Sequence, residues 1–189
     1  MTLEESAREL ERGDSAPRFE LPGADGETHR IEDFGDHDAL LVAFTCNHCP
    51  YAKAKMGTLN AIAAGYETVA VVGINPNDAD AYPEDSVERM EELVADGTVR
   101  YDAYLRDGSQ EIARAYGAVC TPDPFLFERT GEGFALAYHG RLDDAQDPGA
   151  EPSDEPGFEM RAAIDAVLAG EAVGTEFRPS RGCSIKWRE

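Results

Sequence analysis

Two cysteines, Cys46 and Cys49, are separated by two residues in the stretch AFTCNHCPYAKAK at 43–55. They follow an apolar run of strand length and precede a helical pattern with Pro50 in its first turn. Free N–H groups at the start of a helix favour a thiolate on the first cysteine, and a thiolate is the form that attacks a disulfide. The spacing therefore predicts a redox dithiol in which Cys46 is the nucleophile and Cys49 resolves the mixed disulfide.

The surroundings of the pair leave a second chemistry open. His48 lies between the cysteines, and we expect it to stabilise the thiolate when protonated and so to tune the reduction potential. A CxxC pair is also half of many zinc sites, although those usually bring a second close pair of ligands. The remaining cysteines, Cys120 and Cys183, are single and distant. A zinc or copper carrier that uses Cys46, Cys49, His48 and one distant cysteine stays as an alternative; the redox interpretation needs no cofactor.

The charge of the chain limits its partners. Among 189 residues, 38 are acidic and 17 are lysine or arginine, which gives a net charge of −21 at pH 7. Such a surface repels nucleic acid phosphates and anionic membranes, so we expect neither as a partner. Salt screens self-repulsion of this kind, and we therefore predict a halophilic protein; a merely acidic protein is the alternative.

The amino-terminal stretch MTLEESAREL is acidic and lacks the cationic start and apolar stretch of a signal peptide. No apolar run reaches the length of a membrane span. We therefore expect a cytoplasmic protein. In a reducing compartment, four cysteines favour catalysis or metal binding over structural disulfides.

Strands that alternate with helices must position these residues. The apolar pattern predicts strands at 39–45, 68–74, 99–105, 124–128 and 134–140, and helices at about 47–64, 86–97, 109–117 and 157–168. A turn at Asp25-Gly26 predicts an added N-terminal β-hairpin. The fold class is therefore α/β, with a central mixed β-sheet flanked by helices.

Three segments differ in composition. Residues 1–12 read as a short polar helix or a frayed segment, 13–175 as the domain, and 176–189 as a C-terminal basic tail. Ile185 and Trp187 would anchor this tail if it folds back over the domain.

The combined pattern resembles the thioredoxin fold, and within it the redoxin or peroxiredoxin-like (AhpC/TSA-like) branch with a CxxC motif. The stretch at 13–34 resembles the hairpin of that branch, and FTCNHCPY at 44–51 resembles its active-site turn. The stretch YGAVCTPDPFLFE at 116–128 resembles the loop with a cis-proline, and RGCSIKW at 181–187 resembles the end of a CxxC-containing subgroup.

The resemblance implies that the bond between Thr121 and Pro122 is cis and packs against the sulfurs of Cys46 and Cys49. In that fold the loop exposes backbone groups that pair with an incoming substrate strand, and it excludes metal from the dithiol. The implied function is a thiol–disulfide oxidoreductase. Its partners would be protein or small-molecule disulfides and thiols, with a thioredoxin-type protein as electron partner.

Two departures from the family patterns bear on this reading. Many thioredoxins carry a buried Asp six residues before the first cysteine and a Trp just before it, where this chain has Leu40 and Thr45. The Pro-x-x-x-Thr-x-x-Cys motif of peroxiredoxins fits neither Cys46 nor Cys49. Thiol peroxidase activity, with peroxide oxidising Cys46 to a sulfenic acid, is therefore kept as the alternative.

Two further cysteines need an account. Cys120 directly precedes the expected cis-proline turn, and Cys183 lies in the basic tail. Our hypothesis is that Cys120 and Cys183 form a second redox pair, or that Cys183 receives oxidation from the dithiol. The alternative is that the first is a small buried residue and the second an incidental thiol.

Overall fold

The structure is a computed structural model that describes residues 2–189, and a five-stranded mixed sheet forms its centre. The strands of the chain are β1 (Leu3–Glu5), β2 (Glu20–Pro22), β3 (Thr28–Arg30), β4 (Ala39–Phe44), β5 (Val69–Asn75), β6 (Ala103–Arg106), β7 (Cys120–Thr121), β8 (Asp123–Thr130), β9 (Gly133–His139) and β10 (Arg181–Ser184). The central sheet has the order β6-β5-β4-β8-β9. Strands β4, β5 and β6 run parallel to one another, and β8 pairs antiparallel with both of its neighbours, β4 and β9.

The central strand β4 is buried along its whole length, as its apolar run predicted. Because successive side chains of a strand point to opposite faces, Leu40, Val42 and Phe44 pack into the core on one side of the sheet. Leu41 and Ala43 pack into the core on the other side. The sheet is therefore covered on both faces, and the end of β4 delivers the CxxC motif to its edge.

Helices cover the sheet close to the expected positions: α1 (Pro50–Lys53), α2 (Met56–Gly65), α3 (Val87–Ala95), α4 (Glu111–Tyr116) and α5 (Phe158–Leu168). Ser86 caps α3 by accepting a hydrogen bond from the N–H of Arg89. The single helix expected at about 47–64 is instead two helices, since the N–H of Lys55 bonds to the carbonyl of Ala52 and tightens the turn between them.

The expected N-terminal hairpin is present as β2 and β3, which pair antiparallel. Gly26 lies in its turn with φ of 82°, a left-handed conformation that glycine adopts without strain. Within residues 2–189 no helix is long and apolar enough to cross a membrane.

The polar helix or frayed segment expected at 1–12 is wrong for its first part. Residues 3–5 form β1, which pairs with β10, and β10 in turn pairs with β7, all antiparallel. The backbone partners that β10 supplies outweigh the weak local helix preference of this polar segment. The tail folds back as expected: Ile185 is buried in the core and Trp187 packs against it.

Candidate active site

Three of the four cysteines meet in one small cluster at the end of β4. Cys46, Cys49 and Cys183 pack together with Ala52 and Tyr51, and all three cysteines are buried. Cys49 and Cys183 form a disulfide with their Cα atoms 6.3 Å apart, across 134 positions of sequence, while Cys46 is a free thiol. The disulfide in this structure is therefore not the Cys46–Cys49 bond that the CxxC spacing predicted.

Each cysteine is placed by a different element. Cys46 follows β4 by two residues, and Cys49 is the N-cap of α1, directly before Pro50. Cys183 lies on β10, in register with Thr121 of β7. Strand pairing thus brings a residue from the far end of the chain onto the CxxC turn.

The turn at Thr121 and Pro122, where β7 passes into β8, packs against the CxxC cysteines. The bond between Thr121 and Pro122 is cis, which confirms the expectation from the family resemblance. Thr121 touches both CxxC cysteines: its Oγ1 is 3.4 Å from the Cys46 Sγ, and its carbonyl oxygen is 3.7 Å from the Cys49 Sγ.

The backbone beside this loop is already paired, which corrects the expectation that it is open to a substrate strand. Thr121 and Cys120 of β7 pair with Cys183 and Ser184 of β10. Gly182 lies so close to the Thr121 carbonyl that a Cβ atom would overlap it. The tail of the chain therefore occupies the edge that the resemblance assigned to a partner.

Cys120 does not pair with Cys183, so that version of the second redox pair is wrong. Since Cys183 and Thr121 are register partners, their side chains share one face, and the preceding Cys120 points to the other face. The Cys120 sulfur instead lies 3.8 Å from the carbonyl oxygens of Pro122 and Ser180. Burial raises its pKa strongly.

A buried carboxylate that the sequence reasoning missed lies beside Cys46. Asp85 accepts hydrogen bonds from the backbone N–H of Asn47 at 2.7 Å, from Asn75 at 3.3 Å and from Asn77 at 2.8 Å. It also bonds to His48 Nδ1 at 2.5 Å. Asp85 stands just before the cap of α3 in an acidic loop, and nothing in the local pattern separates it from the exposed acids around it.

The electrostatics of Cys46 differ from the sequence expectation of a stabilised thiolate. Burial, followed by the negative charge of Asp85, raises the pKa of Cys46 to about 11. The Thr121 hydroxyl and the N–H groups of His48 and Cys49 act in the opposite direction but are outweighed. With its pKa near 11, the buried Cys46 is a neutral thiol at pH 7.

His48 forms the outer edge of the site. Its ring stacks on Tyr82 with centroids 5.3 Å apart, and the Lys186 ammonium lies 5.9 Å from the same Tyr82 ring. On the inner side, the Tyr104 hydroxyl donates to Asn47 at 2.6 Å. The histidine is therefore held against Asp85 and does not act alone on the Cys46 thiol.

A metal could be held by a different set of residues from the predicted one. The sulfur of Cys46, a ring nitrogen of His48 and a carboxylate oxygen of Asp85 all lie within 4.8 Å of one another. Thiolate, imidazole and carboxylate are ligands that zinc accepts. The expected set with both Cys46 and Cys49 cannot form while Cys49 is in the disulfide.

A second buried carboxylate–histidine pair lies on the other side of the cis-proline. His139 Nε2 is 2.7 Å from the Asp123 Oδ1, and the imidazole stacks on Phe125 with centroids 3.9 Å apart. Burial raises the pKa of Asp123 against the opposing effect of His139.

Comparison with known proteins gives a consistent picture. The model of the AhpC/TSA family matches residues 12–133. An uncharacterized conserved protein from Geobacillus kaustophilus is 40% identical, with a TM-score of 0.90 over 100% of this chain and 97% of that one. A hypothetical protein from Sinorhizobium meliloti 1021 is 44% identical, with a TM-score of 0.87 over 97% and 98%.

A more distant structure shares the fold. It is a provisionally named thiol:disulfide interchange protein, DsbE, from Chlorobium tepidum, which is 23% identical with a TM-score of 0.64 over 84% of this chain and 99% of that one. No curated protein matches the chain.

Proposed function

The chain belongs to the AhpC/TSA family of thioredoxin-fold redox proteins, and on that premise we propose that it is a thiol–disulfide oxidoreductase that uses Cys46 and Cys49. The observation that carries the proposal is the packing of the Cys46 thiol against the Cys49–Cys183 disulfide beneath Thr121. A thiol in contact with a disulfide is the minimum arrangement for disulfide exchange.

The reaction proceeds in two displacements. In the reduced protein the Cys46 thiolate attacks a substrate disulfide, forms a mixed disulfide and releases the first substrate thiolate. The Cys49 thiolate then attacks the Cys46 sulfur and releases the second substrate thiolate. The substrate gains two electrons, and the protein loses two electrons and two protons as its dithiol becomes a disulfide.

The proton of Cys46 has a nearby acceptor. The Asp85 carboxylate and the His48 ring lie within 4.8 Å of the sulfur, and their mutual hydrogen bond holds the imidazole in place. This arrangement would accept the proton of Cys46, whereas the position six residues before Cys46, where many thioredoxins carry an acid, holds Leu40 in this chain. We assign Asp85 and His48 as the positioning pair for proton transfer at Cys46.

The partners follow from the chemistry and the charge. Protein or small-molecule disulfides are the substrates, and a thioredoxin-type dithiol protein restores the reduced state. The net charge of −21 favours neither nucleic acid nor an anionic membrane, and it suits a cytoplasm with high salt.

The test is the reduction of a small-molecule disulfide by dithiothreitol with catalytic amounts of protein in high salt. Cys46→Ser should lower the rate strongly, since Cys46 is the sulfur that attacks the substrate disulfide. Cys120→Ala, which removes the thiol on the opposite face, serves as the matched control and should keep the wild-type rate. Full activity of Cys46→Ser would contradict the proposal.

Peroxide reduction is the second candidate, favoured by the family match and by the complete burial of Cys46, which a small oxidant meets more easily than a folded substrate does. Stopped-flow mixing of reduced protein with hydrogen peroxide separates the two. Rapid consumption of peroxide that depends on Cys46 would support the peroxidase; inertness supports disulfide exchange.

A metal carrier is the third candidate, because Cys46, His48 and Asp85 bring a sulfur, a nitrogen and an oxygen together. Metal analysis of protein purified without chelator decides this point. Stoichiometric zinc or copper, lost in Asp85→Asn, would end the oxidoreductase assignment.

A further inference from the structure

We propose that Cys183 is a third redox-active cysteine, which replaces Cys46 as the disulfide partner of Cys49 by intramolecular disulfide exchange. The new bond holds β10 over the site. This inference rests on the proposed oxidoreductase function and extends it to the carboxyl-terminal strand. Its starting point is that the disulfide in the structure joins Cys49 to Cys183, although Cys46 lies in the same cluster as a free thiol.

Strand register makes the exchange geometrically direct. Cys183 is the partner of Thr121 across the β7–β10 pair, so both side chains lie on the face that carries the CxxC turn. Thr121 touches the sulfurs of both Cys46 and Cys49. With β10 paired, the Cys49 sulfur therefore lies in one buried cluster with both of its candidate partners, Cys46 and Cys183.

The exchange balances without an external oxidant or reductant. The Cys183 thiolate attacks the Cys49 sulfur of the Cys46–Cys49 disulfide, the bond between Cys46 and Cys49 breaks, and Cys46 leaves as a thiolate. Cys183 loses a proton and Cys46 gains one, so that one thiol and one disulfide are present before and after. Opening the Cys49–Cys183 bond afterwards requires two electrons from a dithiol reductant.

The electrostatics at Cys46 slow the reverse exchange. Once released, the Cys46 sulfur takes up a proton, because burial and the charge of Asp85 raise its pKa to about 11. A sulfur that holds its proton at neutral pH does not attack the new disulfide, since the thiolate is the nucleophile. Cys46 therefore reopens the Cys49–Cys183 bond slowly, and the pairing of β10 with β7, which holds Cys183 beside Cys49, favours the closed product.

Closure also seals the site. β10 is paired on both edges, with β1 on one side and β7 on the other, and the three cysteines of the cluster are at most 1% exposed. Beyond the strand, the Lys186 N–H donates to Asn77 Oδ1, and the amide of Asn77 donates to Asp85. The tail is thus tied covalently to Cys49 and by hydrogen bonds to the carboxylate beside Cys46. A substrate reaches Cys46 only when β10 has separated.

Disulfide mapping tests this inference independently of activity. Reduced full-length protein is oxidised with diamide, quenched with acid, alkylated under denaturing conditions and mapped by mass spectrometry. In the wild type we expect Cys49–Cys183 to exceed Cys46–Cys49 by about ten to one or more at equilibrium. Early quenches should show Cys46–Cys49 first and its decay as Cys49–Cys183 appears.

Three variants sharpen the result. Cys183→Ala should accumulate Cys46–Cys49 in nearly all molecules, which reverses the wild-type ratio. Cys46→Ser should still form Cys49–Cys183, and it decides the matter by itself if Cys183→Ala fails to fold. Cys120→Ala, the matched control, should reproduce the wild-type map.

Failure of the inference and failure of the proposed function look different. Wild-type protein that reduces substrate but holds only Cys46–Cys49 when oxidised would overturn the role of Cys183 and leave the function intact. Protein that forms Cys49–Cys183 but never turns over a disulfide substrate would overturn the function. A wild-type map with Cys120 linked to Cys183 would also overturn the inference.

Discussion

Two buried carboxylate–histidine pairs flank the cis-proline loop, and they are built differently. Asp85 bonds to His48 and also accepts three N–H groups, from Asn47, Asn75 and Asn77. Asp123 bonds to His139 through Oδ1, and its other oxygen, Oδ2, has no hydrogen-bond partner among residues 2–189. The comparison shows that the number of donors around a buried carboxylate, and not the histidine alone, sets what the carboxylate does.

The consequences of this difference are local. Amide donors replace the water that Asp85 loses on burial, and the negative charge of Asp85 raises the pKa of the neighbouring Cys46. Asp123 lacks such a cage, and burial raises its pKa. His139 Nδ1 has no hydrogen-bond partner among residues 2–189, and its ring is stacked on Phe125 instead. In the proposed mechanism the first pair acts in proton transfer at Cys46, whereas the second pair packs beside the cis-proline.

The largest effect on the free energy of unfolding should come from removing the carboxylate of the Asp85–His48 pair. Asp85→Ala removes one acceptor from four donors, and buried donors without partners cost about 1–3 kcal/mol each before relaxation. We expect the free energy of unfolding to fall by about 4 kcal/mol, measured by urea denaturation. Glu84→Ala removes the same charge from the adjacent, exposed position, and should change stability by less than about 0.5 kcal/mol. Equal losses of unfolding free energy in Asp85→Ala and Glu84→Ala would contradict the interpretation that the hydrogen bonds to Asp85 stabilise the fold.

A smaller effect is expected at the second pair. Asp123→Ala leaves only His139 without its main partner, so the free energy of unfolding should fall by about 2 kcal/mol. The double variant Asp123→Leu with His139→Phe should recover part of this loss, because apolar residues can replace a buried polar pair at little cost. If the double variant is less stable than the single one, the packing role assigned to this pair is wrong.

The second pair also predicts a pH dependence of defined sign. The pKa of Asp123 in the folded protein lies above its ordinary value of 3.8, so the folded state holds this proton more tightly than the unfolded state. The resulting stabilisation is complete below pH 3.8 and is lost as the pH rises through the folded pKa. Relative to Asp123→Asn, the wild type should therefore become less stable as the pH rises over that window, as measured by urea denaturation at each pH.

The pKa of Cys46 gives a third way to distinguish the Asp85–His48 pair from the Asp123–His139 pair. In oxidised Cys120→Ala protein, Cys46 is the remaining thiol, and an NMR titration of its Cβ resonance should have a midpoint near pH 11 against an ordinary value of 9.0. Asp85→Asn should lower this midpoint, because the negative charge that opposes the thiolate is gone. Asp123→Asn should leave it unchanged, since Asp123 does not contribute to the shift. Equal shifts of the Cys46 midpoint in Asp85→Asn and in Asp123→Asn would contradict the conclusion that only Asp85 acts on Cys46.

The smallest effect should be that of salt on the stability losses caused by substitutions in the two pairs. Molar KCl should raise the urea midpoint of the wild type, because it screens the repulsion of a chain with net charge −21. The losses caused by Asp85→Ala and Asp123→Ala should stay the same within about 0.5 kcal/mol, since buried pairs are screened much less than exposed charges. A wild-type midpoint that does not rise with salt would contradict the halophilic prediction.

Much of the molecule was determined by local sequence. The apolar run at 39–44 specified a strand buried on both faces, and the turn at Asp25-Gly26 specified the hairpin, because side-chain periodicity and backbone preference act over a few neighbouring residues. The stretch around Thr121 and Pro122 resembled a known loop closely enough to give the peptide geometry.

Three features were decided only by the tertiary structure: the partner of Cys49, the face of Cys120 and the charge beside Cys46. The first two depend on the register between β7 and β10, in which Thr121 pairs with Cys183, 62 positions away. A shift of one residue would exchange the faces, and no local pattern encodes a register over that separation. The third depends on Asp85 being enclosed by three asparagines from two separate segments. Burial and strand register are properties of the assembled chain. The sequence therefore identified the candidate cysteines, and the tertiary structure determined which of them are bonded to each other.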